Sequence, residues 1–133
     1  MATRAQHTTD LGVLAERSFC YLTTTGRVTG RPHTIEIWFA ISGRTLYMLS
    51  GGGDRSDWVK NLVRTPETTV RIGTTEFPGR ARVVDDEAED ALARRLLLEK
   101  YEPAYSGDLS DWGRTALPVA VDLDVNRQRV RQM

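Results

Sequence analysis

A loop rich in glycine and arginine is the first segment whose residue types could bind an anion. It runs from Gly26 to His33 and reads GRVTGRPH. Glycines expose backbone amides, the Thr29 hydroxyl can donate a hydrogen bond, and Arg27 and Arg31 supply forked cations. Such a loop can hold a phosphate group. The same composition is also typical of an ordinary β-hairpin whose arginines point into solvent, so both interpretations stay open at this point.

A second segment has the composition of a site for a flat ligand. Three successive glycines, Gly51 to Gly53, follow Ser50 and precede a predicted helix that carries Trp58 and Asn61. Glycines let a planar ring approach the backbone closely, and a tryptophan can stack on such a ring. The alternative is a flexible connection in which Trp58 is a core residue.

The charges near these glycines indicate where a phosphate would lie. Asp54 and Asp57 stand at the start of the predicted helix and already complement its dipole. An anionic group is therefore expected at the arginine loop, with the flat ring nearer the glycines.

Other side chains offer weaker indications of chemistry. Tyr101, Tyr105 and Trp112 lie in or beside the polar segment before the last predicted strand, where they could cap a pocket, and a tyrosine there could supply a proton. The more frequent role of such aromatics is to anchor a loop. Glu36 lies on a predicted strand and either faces solvent or lines a pocket.

Composition excludes several other kinds of protein. The 133 residues suit a single domain, and 18 basic residues balance 18 acidic ones, which argues against a nucleic-acid or membrane-surface binder. With Cys20 as the single cysteine and only two histidines, we expect no internal disulfide, no metal site and no Ser-His-Asp triad. No apolar run approaches the roughly 18–20 residues of a membrane span, and the N-terminus lacks a signal-peptide core, so a cytoplasmic location is expected.

Hydrophobic periodicity predicts a mostly β domain with peripheral helices. Residues 1–9 are expected to be flexible, and Asp10 to begin a helix that runs to about Ser18. About six antiparallel strands are predicted, at 19–25, 33–41, 45–50, 67–73, 76–84 and 119–125, with further helices at 55–64 and 86–100. Since strands and helices do not alternate regularly, a closed or half-closed antiparallel barrel fits better than a parallel sheet.

Two motifs of the sequence resemble a known family. TTGRVTGRP, at residues 24–32, resembles the TTGRxxG-x-P signature of the deazaflavin (coenzyme F420)-dependent nitroreductase family. The glycines after Ser50, the run WVKNL that begins at Trp58 and the later pair Thr65-Pro66 resemble that family's second block. The resemblance covers about residues 19–125. It implies a split β-barrel related to pyridoxamine-phosphate oxidases, a homodimer, and F420 as cofactor.

The resemblance also implies roles for individual residues. Those implied to bind the phosphate and tail of F420 are Arg27, Thr29 and His33; those implied to approach or enclose the deazaflavin ring are Ser50, Gly51, Gly52, Trp58 and Asn61. Tyr105 matches a tyrosine near the acceptor in nitro-reducing members. The sequence departs from its relatives at Val28 and Gly51, where they often carry lysine, so Arg31 or Arg55 would have to supply the missing charge. Glu36 is expected to alter the acceptor pocket.

The activity implied is hydride transfer from reduced deazaflavin to a quinone, an enone or a nitro compound. Two alternatives are an FMN-dependent reductase or oxidase on the same barrel, and a non-enzymatic protein that binds an apolar ligand such as a fatty acid. Pockets for such ligands look alike in sequence because they are mostly apolar with few polar groups.

Overall fold

The structure is a computed structural model that describes residues 11–131. These residues form one antiparallel sheet and four α-helices. The strands are β1 Cys20–Thr25, β2 Pro32–Ile37, β3 Ala40–Ser42, β4 Thr45–Ser50, β5 Glu67–Ile72, β6 Thr75–Val83, β7 Leu117–Leu123 and β8 Arg129–Val130. The helices are α1 Leu11–Leu14, α2 Asp57–Arg64, α3 Glu87–Tyr101 and α4 Ser110–Thr115. The flexibility predicted for residues 1–9 and the helix start at Asp10 lie outside the described residues.

The sheet is curled so that its two edges come close together. Its strand order is β2-β1-β5-β6-β7-β4-β3, and β8 pairs with β6. The edge strands β2 and β3 are separated in the chain by Trp38 and Phe39 alone. Three peptide links span at most about 11 Å, so the end of β2 lies within that distance of the start of β3. The mostly antiparallel, barrel-like architecture expected from the sequence is confirmed.

The predicted second strand, 33–41, is wrong in one respect, because it is divided between β2 and β3. At Phe39 the backbone leaves the sheet and is held by the end of α3 instead. The Phe39 N–H donates to the Tyr101 hydroxyl at 2.9 Å, and its carbonyl accepts from Lys100 Nζ at 2.8 Å. These bonds replace the sheet partners that a buried backbone needs. This division and the short strand β8 raise the number of strands from the predicted six to eight.

The core has two parts that share the sheet. Inside the curl, apolar side chains from β1, β4, β5, β6 and β7 pack together, while the outer face of β4 and β7 packs beneath α3. Strand β4 is therefore buried on both faces, with Leu46 and Met48 inside and Tyr47 and Leu49 against the helix layer. Strand β7 is also buried on both faces, because Val119 and Val121 lie inside the curl and Ala120 lies under the helix layer.

Several predicted boundaries are also corrected by the structure. The first helix ends at Leu14 rather than Ser18, and the last strand is Leu117–Leu123 rather than 119–125. Helix α2 starts at Asp57 rather than 55, after a turn of 3₁₀ helix, and its Val63 is 63% exposed. The buried face of α2 consists of Val59, Asn61 and Leu62.

An ion-pair network links three strands to α3. Arg82 of β6 donates to Glu89 of α3 at 2.7 and 2.8 Å and to Asp122 of β7 at 2.9 Å. The Tyr47 hydroxyl of β4 donates to Glu89 at 2.7 Å. The hydrogen bonds from Arg82 and Tyr47 lower the pKa of Glu89 from 4.5 to about 2. Burial first, and the bond to Glu89 second, raise the pKa of Tyr47 to about 12.

Glu89 should therefore stabilise the fold in a pH-dependent way. Its folded pKa is lower than 4.5, so its contribution is complete above pH 4.5 and is lost as the pH falls toward 2. We expect Glu89→Gln to lower the free energy of unfolding at pH 7 by about 1–2 kcal/mol, in urea titrations. The difference in the free energy of unfolding between this variant and the wild type should shrink as the pH falls from 5 to 3.

Glu87→Gln is the matched control, because Glu87 is an exposed carboxylate in the first turn of the same helix. If Glu89→Gln lowered the free energy of unfolding by as much at pH 3 as at pH 7, the pH-dependent contribution assigned to Glu89 would be contradicted.

Candidate functional site

The hairpin between β1 and β2 has a fixed shape that depends on its glycines. The Gly26 N–H donates to the Arg31 carbonyl at 2.7 Å, and the Gly30 N–H donates to the Gly26 carbonyl at 2.8 Å. Gly30 has a φ of 77°, which favours glycine. A Cβ on Gly26 would lie 2.6 Å from Nε2 of His33, so this close approach also requires glycine. The glycine amides are thus used within the loop, which corrects the expectation that they would face an anion.

The hairpin is attached to α2 through Asn61. The Asn61 Oδ1 accepts from the Arg27 backbone N–H at 3.1 Å and from the Arg27 guanidinium at 2.9 Å. Its Nδ2 donates to Thr24 Oγ1 at 3.2 Å. The side chain is 4% exposed, so these bonds are made in a nearly dry environment where they are strong. Asn61 therefore joins strand, loop and helix at one point.

Arg27 is held from two sides but keeps hydrogen-bonding capacity. Besides Asn61, its guanidinium pairs with the Asp57 carboxylate at 3.1 Å and contacts the Asp57 carbonyl at 3.5 Å. A guanidinium has five N–H donors, and these three contacts leave two of them for a ligand. Asp57 neutralises part of the charge, as the acidic start of the helix suggested.

A pocket of about 440 Å³ lies between this hairpin, the first half of β2 and α2. We call it the hairpin pocket. Five of the eight predicted cofactor-binding residues line it, namely Arg27, Thr29, His33, Trp58 and Asn61. Thr29 Oγ1 accepts from the Arg31 N–H at 3.2 Å, so its own hydroxyl proton remains available.

The other three predicted residues form the turn after β4. Ser50 is buried, and its hydroxyl donates to the Gly53 carbonyl at 2.9 Å and lies 2.9 Å from the Ser56 hydroxyl. Its hydroxyl therefore stabilises the turn. Gly51 and Gly52 are exposed, and a Cβ on Gly51 would lie 3.8 Å from the Trp112 ring.

Tyr105 lies in a second pocket, of about 490 Å³, which we call the aromatic pocket. Its lining includes Glu36, Trp38, Leu49, Tyr105, Asp108 and Trp112. The two pockets adjoin along β2, because Thr34 and Ile35 line the first and Glu36 and Ile37 line the second. A ligand with an anionic tail and a flat ring could extend from one to the other.

Trp38, Leu49 and Asp108 were not predicted as site residues. The cluster of Tyr105 and Trp112 was visible in the sequence, but α4 was not predicted. The aromatic pocket needs that helix and the crossing at Trp38, which brings β2 beside β4.

Within residues 11–131, no three His, Cys, Asp or Glu side chains lie together in a way that could hold a metal ion. Cys20 is buried, and burial raises the pKa of its thiol to about 12. No helix in the same range is long and apolar enough to cross a membrane.

The architecture defines the class of protein. A Listeria innocua protein named for pyridoxamine 5′-phosphate oxidase superposes with a TM-score of 0.67 at 21% identity, covering 90% of this chain and 93% of that one. A structure of an F420H2-dependent reductase has a TM-score of 0.63 at 23% identity, covering 81% and 95%. A further F420 reductase has a TM-score of 0.59 at 18% identity, covering 88% and 94%. The fold is a split β-barrel of the pyridoxamine-phosphate-oxidase type.

The sequence identifies the family within that class. Residues 2–124 match the family of F420H(2)-dependent quinone reductases, and the chain belongs to it. It is therefore an F420-dependent oxidoreductase, as the two motifs indicated. The roles of individual residues and the cytoplasmic location stay predictions.

Asn61 should have a measurable structural role. We expect Asn61→Ala to lower the free energy of unfolding by about 2 kcal/mol, because it leaves the Thr24 hydroxyl and the Arg27 N–H without their buried partner. Chemical denaturation measures this. Asn126→Ala, at an exposed asparagine, should change it by less than about 0.5 kcal/mol. Equal stability of the two variants would show that the Asn61 contacts do not hold the hairpin.

Proposed function

We propose that this enzyme binds F420 across both pockets and reduces a flat organic acceptor in the aromatic pocket. The acceptor is a quinone, an enone or a nitro compound. The observation that supports this most directly is the continuity of an arginine-bearing pocket with an aromatic one along β2, in a member of an F420-dependent family.

The hairpin pocket fits the phosphate of F420. Arg27 has two N–H donors left, Thr29 keeps a hydroxyl proton, and the exposed Arg31 adds a second cation at the loop. His33 lies against Gly26 at the pocket wall. Because Asp57 offsets part of the Arg27 charge, we expect charge-assisted hydrogen bonds rather than net charge to hold the phosphate.

The glycine turn and the residues near it fit the ring. Trp58 lines the hairpin pocket on α2, and Gly51 lies beside Trp112 of the aromatic pocket. Absence of side chains at Gly51 and Gly52 leaves the backbone open to a planar group. Bound F420 in its reduced form supplies a hydride. The protein orients the acceptor and limits the access of water.

Tyr105 is the proposed proton donor. Its ring lies edge-to-face with Trp38, with centroids 5.9 Å apart, and 47% of the residue is exposed. Reduction of a quinone to a hydroquinone needs a proton beside each hydride, and the Tyr105 hydroxyl can hold one at the pocket wall. Reprotonation from solvent follows easily at that exposure.

Family membership favours this function over the two alternatives. An F420-dependent family supports deazaflavin over FMN, and an oxidoreductase family argues against a fatty-acid carrier. The carboxylates of Glu36 and Asp108 would also repel the carboxylate of a fatty acid in the aromatic pocket. A homodimer is part of the proposal, supported by the exposed edge strand β2, which offers unpaired backbone groups.

Binding of F420 should depend on Arg27. We expect Arg27→Ala to raise the Kd for F420 by about 10–100-fold in fluorescence titrations, because a hydrogen bond from a charged group contributes about 1.5–3 kcal/mol. Arg80→Ala removes an exposed arginine on β6 that pairs only with exposed Glu67, and it should leave the Kd unchanged. FMN titrated in parallel should bind more weakly than F420. Failure of F420 to bind the wild-type protein would refute the proposed function.

Loss of the Tyr105 hydroxyl should affect turnover and not cofactor binding. We expect Tyr105→Phe to lower kcat for menadione reduction about tenfold or more at an unchanged Kd for F420. Tyr21→Phe, on β1 beneath Arg71, serves as the control for loss of a phenol elsewhere. A fall of less than twofold would assign the proton to solvent.

A further inference from the structure

Three aromatic rings line the aromatic pocket, and two of them stand nearly perpendicular to the third, Trp38. The Trp38 and Trp112 centroids are 5.6 Å apart with an interplanar angle of 86°, and those of Trp38 and Tyr105 are 5.9 Å apart at 79°. Trp38 is held in place because it stacks on Tyr101, at 4.4 Å and 2°. The face of an aromatic ring is electron-rich and attracts an organic cation, so a pocket lined by three such rings suits one.

The charged residues of this pocket also favour a cation. Glu36 and Asp108 line it, and no lysine or arginine does. Neither carboxylate forms an ion pair with any basic residue of the part of the chain that the structure describes. Asp108 accepts a hydrogen bond from the Ser110 N–H at 2.9 Å, which lowers the pKa of its carboxyl group and keeps it ionised.

One lysine, Lys100, lies beside the aromatic pocket, but its ammonium group contacts Phe39. Lys100 Nζ lies 3.7 Å from the centroid of the Phe39 ring and donates to the Phe39 carbonyl. It lines a separate, smaller pocket, which shares Trp38 and Tyr105 with the aromatic pocket. The aromatic pocket is thus anionic, while the adjoining hairpin pocket carries Arg27.

We propose that the aromatic pocket binds a flat heteroaromatic cation, such as a ring with an N-alkylated nitrogen. Cation–π contacts attract such a ring, and the two carboxylates add an attraction that a neutral ring lacks. That this cation is a further hydride acceptor, beside the neutral acceptors proposed above, rests on the proposed function. The binding preference itself does not.

Such an acceptor suits the chemistry of the enzyme. When a cationic ring takes up a hydride, a C–H bond forms at a ring carbon and the ring becomes neutral. The reduced F420 that supplied the hydride would be oxidised and would release one proton to solvent. No proton is needed at the acceptor. The neutral product loses its attraction to Glu36 and Asp108, so the pocket would bind substrate more strongly than product.

The test compares the binding of two probes of equal size to the cofactor-free protein. N-methylquinolinium is a cation, and 2-methylquinoline, which has the same number of heavy atoms, is neutral at pH 8. By isothermal titration calorimetry at low salt, we expect the cation to bind at least tenfold more tightly. Equal affinity for the two probes, or tighter binding of the neutral one, would overturn the proposal.

Variants of the two carboxylates test whether the cation binds in the aromatic pocket. Glu36→Gln and Asp108→Asn should each weaken binding of N-methylquinolinium about three- to tenfold and leave binding of 2-methylquinoline unchanged. Both residues are exposed, so the variants should fold, and Asp85→Asn, at an exposed carboxylate outside the pocket, is the control. Unchanged affinity in both pocket variants would contradict the site.

The outcome separates this inference from the proposed function. If F420 binds but the protein does not prefer the cationic probe to the neutral one, only the proposed cation site is refuted. If the cation binds selectively but F420 does not bind, the proposed function fails and the pocket remains a cation site.

Discussion

The buried amide of Asn61 is the contact on which the arrangement of the site depends. It accepts two hydrogen bonds from Arg27 and donates one to Thr24, so one side chain fixes the end of β1 and the loop that follows against α2. The position of the Arg27 guanidinium, and with it the cationic wall of the hairpin pocket, follows from these bonds. Asp57 then restrains the same guanidinium from the helix start. The groups that hold the hairpin against α2 thus include the arginine that is proposed to bind the phosphate.

The second constraint is the crossing at Trp38 and Phe39. It joins the two edges of the sheet, and the end of α3 satisfies the Phe39 backbone there through Tyr101 and Lys100. This crossing sets Trp38 beside Trp112 and creates the aromatic pocket next to the hairpin pocket. Because the two pockets share β2, a cofactor held by its phosphate at one end would present its ring near the other.

Local sequence features predicted the parts of the structure that local chemistry determines. The glycines of the hairpin, the turn after Ser50 and most strands follow from residue type and period, and the barrel follows from their order. The division of the second strand could not be predicted, because apolar residues continue from Ile37 through Ile41 without a break. Only the contacts with Tyr101 and Lys100 take Phe39 out of the sheet. The structural role of Asn61 could not be predicted either, because only tertiary structure turns its amide toward Arg27 and Thr24. Its contact with the cofactor stays a prediction.

A double-mutant cycle on F420 affinity tests the central claim, that Asn61 acts on the cofactor through Arg27. The Kd for F420 is measured for the wild type, Asn61→Ala, Arg27→Ala and the double variant. We predict that Asn61→Ala weakens binding about fivefold or more in the wild type and hardly at all once Arg27 is alanine, because the residue it positions is then gone. Equal losses in the two backgrounds would show that Asn61 contacts the cofactor independently, which would contradict this account of the site.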